Sequence, residues 1–129
     1  MASGSVASAS CMHVLEHIGL GRYGDPVDPD GDRKAAAELE RIIAPGGDLL
    51  IVTPVGKPRV CFNAHRVYSF ELLRGLFPQC DLVEFSMAPD PGEGPSFLRN
   101  ADPQAVADQR YACGCFWFRK RAQEAKAVA

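Results

Sequence analysis

Three histidines, five cysteines and a run of acidic residues carry most of the chemistry this 129-residue sequence could perform. His13 and His17 stand four residues apart, with Glu16 between them. On a helix that spacing sets both imidazoles on one face, as in zinc-binding His-x-x-x-His pairs. The metalloprotease pattern needs its glutamate directly after the first histidine, where this chain has Val14. Zinc also needs three or four ligands at fixed geometry, so no metal is expected here. A plainer role for Glu16 or His17 is to satisfy backbone groups in the turn that contains them.

His65 and Arg66 make a second candidate, with Asn63 near enough to orient either. In a loop, the histidine could act as a general base and the arginine could hold a carboxylate or phosphate. Equally, Arg66 could pair with an acid such as Asp25 and fasten two loops together. Cys113 and Cys115 sit at i, i+2, which on a strand turns both thiols to one side. No second thiol pair completes a metal site, and the expectation is of buried, inert thiols.

Two further patterns read as structural. Asp25, Asp28, Asp30 and Asp32 resemble a calcium loop, but Pro26 and Ala37 stand where ligands belong. They predict a rigid acidic turn. Residues 19–24 spell G-x-G-x-x-G, yet no helix pattern opens directly on them, so no dinucleotide site is expected.

The elements that must position these groups follow from periodicity and punctuation. Residues 5–11 read as a short buried strand, followed by a turn of helix and then a Gly/Pro/Asp-rich loop. Asp32 is placed to cap a helix over 33–43, with Ala35, Leu39, Ile42 and Ile43 on its apolar face and Glu38, Glu40 and Arg41 elsewhere. Pro45-Gly46-Gly47 is expected to stop that helix. Leu49 to Val52 suits a strand buried on both faces, with Pro54 ending it. Residues 55–68 read as a loop. Ser69 then caps a second helix bearing Phe70, Leu72, Leu73, Leu76 and Phe77. A strand over 82–87, a long loop over 88–104, a short helix over 103–109 opened by Asp102-Pro103, and an aromatic strand over 111–119 complete the order. Phe116, Trp117 and Phe118 are expected in the core or at an interface. Alternation followed by a hairpin predicts an α/β domain, mostly parallel, with one antiparallel closing strand. The domain is expected over 1–119, with a polar tail over 120–129.

Composition narrows the function classes. With 14 basic and 16 acidic residues the net charge is −2, which argues against a nucleic-acid binder. No apolar run approaches the ~18–20 residues needed to span a bilayer. The first ten residues lack the basic flank and apolar block of a signal peptide. Five cysteines without a CxxC pair predict a reducing, cytoplasmic setting.

Val14-Leu15-Glu16-His17-Ile18, a helix ending in Pro45-Gly46-Gly47, and Leu49 to Pro54 together resemble the second half of a class I S-adenosylmethionine-dependent methyltransferase. Residues 65–73 are similar to that superfamily's loop and helix after its fifth strand. More narrowly, Glu16 to Pro26 with Phe62 to Tyr68 resembles a methyltransferase-like group known as domain of unknown function 268. The resemblance implies a partial Rossmann-like methyltransferase sheet with flanking helices, and methyl transfer from S-adenosylmethionine to a small-molecule acceptor. It places Cys11, Met12 and His13 near the cofactor's methionine end. Glu16, His17, His65 and Arg66 would line the substrate side. The superfamily's Gly-rich cofactor turn after its first strand and the acidic residue ending its second would fall before residue 5. The alternative is therefore a truncated, non-catalytic module for ligand binding or assembly. An uncovered edge at residues 5–11 predicts a homodimer through that strand.

Overall fold

The computed structural model describes residues 1–92 and 94–122. Its centre is a four-stranded sheet. Strand β1 (Val6–Met12) pairs in parallel with β2 (Ile43–Val55), and β6 (Ala112–Lys120) runs antiparallel between β2 and β5 (Cys80–Ala88), giving the order β1-β2-β6-β5. Three strands therefore point one way and β6 alone points back, the mostly parallel α/β architecture expected. Between these elements lie helix α1 (Gly31–Ile42), the short hairpin β3 (Arg59–Cys61) and β4 (His65–Val67), and helix α2 (Phe70–Gly75). Two 3-10 turns, Leu15–His17 and Pro103–Asp108, complete the described elements. No helix among the described residues is long and apolar enough to cross a membrane.

One face of the sheet is covered. Ala36 of α1, Phe70 and Leu73 of α2, Phe77, and Val106 of the second 3-10 turn pack with Leu49, Ile51, Phe85, Phe116 and Phe118 into one core. Phe85 and Phe116 lie 4.8 Å apart by ring centroid and Phe77 and Phe118 5.0 Å apart, an aromatic layer stabilised beyond its buried area. β2 is thus buried on one side only: Leu49 and Ile51 are fully buried, whereas Leu50 between them is 43% exposed. The apolar run came from packing on one face plus a second face that stays partly open, with Met12 and Leu50 exposed on the strands and Phe97 beside them.

Several boundaries differ from the expectation, each for a local reason. Asp32 does not cap α1. Asp30 holds that position without a side-chain bond, and Asp32 sits inside the first turn, buried. Leu72 faces solvent, because α2 is too short to bury a wide stripe. α1 ends at Ile42, and Pro45-Gly46-Gly47 forms a bulge within β2 where the pairing jumps from Val6–Ile43 to Ser8–Asp48. Pro54 does not end β2. Pro54 still pairs with Cys113 on β6, beyond the last β1 pair at Met12–Val52. The stretch read as loop over 55–68 contains the β3–β4 hairpin. Ser69 does cap α2, accepting from Leu72 N at 3.1 Å, and Asp102 caps the second 3-10 turn through Gln104 N at 2.9 Å.

Two buried charges lock the layers. The Lys120 ammonium donates to the carbonyls of Glu40 and Ile43, at 2.8 and 2.9 Å, closing the C-terminal end of α1 where a cation is favoured. Glu40, expected on the solvent side, is buried and accepts from Gln79 N at 2.8 Å. Lys120 belongs to β6, one residue past the expected domain limit. Residues 123–129 of the expected tail lie outside the described residues.

The two edges of the sheet differ. Residues 98–101 run beside β5, with Leu98 exchanging backbone bonds with Met87 and Ala101 donating to Phe85. Among the described residues, nothing pairs with the outer edge of β1. The strand is not buried as expected: Ala7, Ser8, Ser10 and Met12 are exposed because only one side of it meets a neighbour.

Candidate functional site

Strands β1 and β2 end on the same side, and β6 begins there, so loops from distant parts of the chain converge at the C-terminal edge of the parallel pair. This is where open α/β sheets place ligands. The chain leaves β1 through His13, held at φ 55° while its amide donates to the Val52 carbonyl at 2.9 Å. Leu15 then anchors the 3-10 turn in the core, and Glu16 is carried inward with it to 1% exposure.

Glu16 organises the cluster. Its Oε2 accepts from His13 Nδ1 at 3.2 Å and lies 3.9 Å from His17 Nε2, while its Oε1 has no hydrogen-bond partner. His17 donates from Nδ1 to the Ala64 carbonyl at the tip of the β3–β4 hairpin. A carbonyl can only accept, so this bond fixes the tautomer and leaves Nε2 as the acceptor. Asn63, at φ 58°, shapes that tip, and Arg22 donates to its carbonyl at 3.3 Å. The His17 ring stands 6.5 Å from His65 and 5.7 Å from Tyr23, and His65 stands 5.1 Å from Tyr111. All three histidines of the chain therefore gather at this edge. They do not share a helix face, because the 3-10 turn spans only Leu15–His17 and His13 lies before it.

His65 and Arg66 are split by strand alternation, which sends neighbouring side chains to opposite faces. Arg66 is buried, donates to the Ile18 carbonyl, and stands 3.6 Å from Asp32 rather than from Asp25. Asp25 instead accepts from Gly19 N at 2.7 Å. Asp28 pairs with Lys34, which pulls its carboxyl below the usual range, and Asp32 accepts from the Tyr68 hydroxyl. Asp25, Asp28 and Asp32 are thus spent separately, and Asp30 stands at the start of α1 without a side-chain bond. Arg66, Asp32 and Tyr68 line a cleft of about 860 Å³ between α1, α2 and the hairpin. Its lining includes none of the three histidines.

The thiols depart from the expectation. Cys113 and Cys115 are half-buried rather than enclosed, because they point to the open face of the sheet. Cys113 Sγ lies 3.8 Å from His13 Nε2, across 100 residues of sequence. The proximity of the two thiols draws Cys115 down to about 7 and, with burial, pushes Cys113 up. Cys11 points to the covered face, and burial raises its thiol. Met12 is 61% exposed on the open face. No group of three or more histidine, cysteine, aspartate or glutamate side chains among the described residues is arranged to hold a metal ion. Sequence spacing flagged the paired thiols, but nothing local could name His13 as their neighbour.

The family described as "Caenorhabditis protein of unknown function, DUF268" matches residues 3–87, which is 85 of the 129 residues. The chain is a DUF268 protein. The match ends at Met87, one residue before the end of β5, and it contains Glu16, His17, His65 and Arg66. In structure, the DUF268 chain is similar to the [4+2]-cyclase SpnF, with a TM-score of 0.61 and 14% identity. The likeness covers 95% of this chain and 53% of SpnF, so the chain spans about half the length of that protein. It shows the fold, which is methyltransferase-like. No curated protein matches the chain in sequence.

Proposed function

We propose that the chain forms the acceptor side of an S-adenosylmethionine-dependent methyl transfer to a small molecule. The observation that carries this reading is Glu16: a fully buried carboxyl group with one unpartnered oxygen, beside two histidines, at the ligand-binding edge of a methyltransferase-like sheet. An orphaned carboxylate oxygen suits a cationic neighbour, so the residues present fit the cationic end of such a cofactor. Met12 and His13 would hold that end from the open side of β1, with Cys11 backing them from the covered face and Glu16 behind. The cofactor, when bound, supplies a methyl group on a positively charged sulfur.

The chain's own residues would do the rest. Transfer of this kind needs in-line positioning, plus a base where the acceptor must lose a proton. His17 is prepared for that base role by the Ala64 bond, which holds the ring and leaves Nε2 free to accept. His65, Tyr23 and Tyr111 would enclose the acceptor around it. Arg66 positions the site from beneath by tying the Ile18 carbonyl to Asp32. Calorimetric titration with S-adenosylmethionine, repeated on Glu16→Gln, tests the reading: the wild-type chain binds and the variant binds more weakly.

A second reading is favoured by β1, whose outer edge has no partner among the described residues. Such an edge is a template for another chain. In this reading the chain is an assembly module that pairs with a second copy across β1.

A further inference from the structure

Beyond methyl transfer, the site contains a second chemical unit, in which Glu16 and His13 are joined by two thiols, Cys113 and Cys115, that the proposed transfer does not use. Glu16, His13 and Cys113 stand in line: carboxylate to Nδ1 at 3.2 Å, and Nε2 to sulfur at 3.8 Å. This is the order orienting acid, base, nucleophile that activates thiols and hydroxyls in covalent catalysis. The carboxylate is buried and the base is fixed by it, while the thiol stays accessible. A second thiol, Cys115, stands next to the first on the same strand face. Between them Gly114 has no room for a side chain, since a Cβ would come within 2.6 Å of Val55. Glycine there also leaves the backbone freer to bend.

We propose that Cys113 and Cys115 form a dithiol that reduces small disulfides, with His13 and Glu16 moving the proton. Cys115 attacks as the thiolate, because it shares the open strand face with Cys113 while Cys113 is the thiol that stands against His13 and can pass its proton there. One sulfur–sulfur bond of the substrate breaks, a mixed disulfide forms on Cys115, and the first half leaves as a thiolate that takes up a proton from water. Cys113 then gives its proton to His13 Nε2 and attacks the Cys115 sulfur. The second half leaves and receives that proton from His13. The balance is one disulfide and two protein thiols giving two small thiols and a Cys113–Cys115 disulfide. Residues i and i+2 of a strand are about 6.5 Å apart, near the upper limit of roughly 6.8 Å for bridged cysteines. Their Cβ atoms must also close to about 3.5–4.5 Å, so the disulfide forms only if β6, paired with Thr53 and Met87 at Gly114, bends there. Such a bridge is strained, and two equivalents of a small thiol return it to the dithiol.

The test uses the full chain, reduced and freed of oxygen, with an aromatic bis-nitrobenzoate disulfide as the probe. In the wild type, Cys113 and Cys115 release two coloured thiolates in a fast phase. Peptide mapping then finds them joined to each other and lighter by two hydrogens. Cys115→Ser abolishes the fast phase. His13→Asn, a residue that accepts the positive φ at this position, stalls with the probe on Cys115 and closes at least about tenfold more slowly. Circular dichroism confirms that each variant folds. Probe adducts on both cysteines without closure, a Cys115→Ser variant that keeps the fast phase, or a His13→Asn variant that closes at the wild-type rate would each overturn the proposal.

Discussion

The Tyr68 hydroxyl donates to Asp32 Oδ2 at 2.8 Å, and both residues are buried. The same oxygen stands 3.6 Å from Arg66, whose guanidinium also holds the Ile18 carbonyl. Through these contacts α1, the segment after β4 and the turn after β1 are fastened at one point. Tyr68→Phe leaves the buried carboxylate short of a donor and should cost about 1–3 kcal/mol in urea unfolding. Burial, with Asp32 beside it, also raises the Tyr68 phenol well above its ordinary 10.0, although Arg66 opposes the rise and Glu16 adds to it. In the unfolded chain this tyrosine ionises near 10 while the folded one stays protonated. Its contribution is therefore present below pH 10 and lost as pH rises beyond it. Cys80, pushed up to about 12 by burial, acts with the same sign. The alkaline loss of stability should accordingly be shallower in Tyr68→Phe, though still present.

Lys120 closes α1 from the far end of the chain. Lys120→Met keeps the apolar stem but leaves the Glu40 and Ile43 carbonyls without their donor. The expected cost is about 2–3 kcal/mol by chemical denaturation, with the helical circular dichroism signal largely kept. A cost near zero would mean that water replaces the ammonium.

The bulge in β2 separates two kinds of glycine. Gly46 has φ 79° with open space around it, so Gly46→Ala is strained only in its backbone, by about 1 kcal/mol. At Gly47 a Cβ would lie 2.8 Å from the carbonyl oxygens of both Ala44 and Ala7. Gly47→Ala should cost about 3 kcal/mol, because the β1–β2 pairing itself must shift. Equal costs for the two would contradict the bulge geometry.

The open edge of β1 has a direct consequence for mass. Pairing through it predicts a light-scattering mass of twice 13.9 kDa at tens of micromolar. Ser10→Lys, which adds a charge to that strand, should return the mass to the single chain. A single-chain mass for the wild type would remove the assembly reading.

What the sequence made legible was local. The strand–helix alternation, the Ser69 and Asp102 caps and the single reversed strand all follow from periodicity and punctuation within a few residues. Glu40 and Lys120 were not legible, because a charge on a helix or near a strand end normally stays in water. Lys120 is buried because it reaches the carbonyls of Glu40 and Ile43, and Glu40 because the Gln79 amide meets its carboxylate, both contacts between residues distant in sequence. The three-residue strands of the hairpin are too short to show alternation. The Cys113–His13 contact joins residues brought together by the β1-β2-β6 order, which no local pattern encodes. Of the candidate site, Glu16, His17 and His65 do converge. Arg66 turns to the other face of β4 and serves as a fastener.

The acceptor-side reading rests on the buried Glu16 and is tested most directly by calorimetric titration of the chain with S-adenosylmethionine. The account predicts saturable heat with a Kd below roughly 100 μM, about −5.5 kcal/mol, and a weaker Kd for Glu16→Gln. No heat at millimolar ligand, or equal affinity in the two proteins, would contradict it.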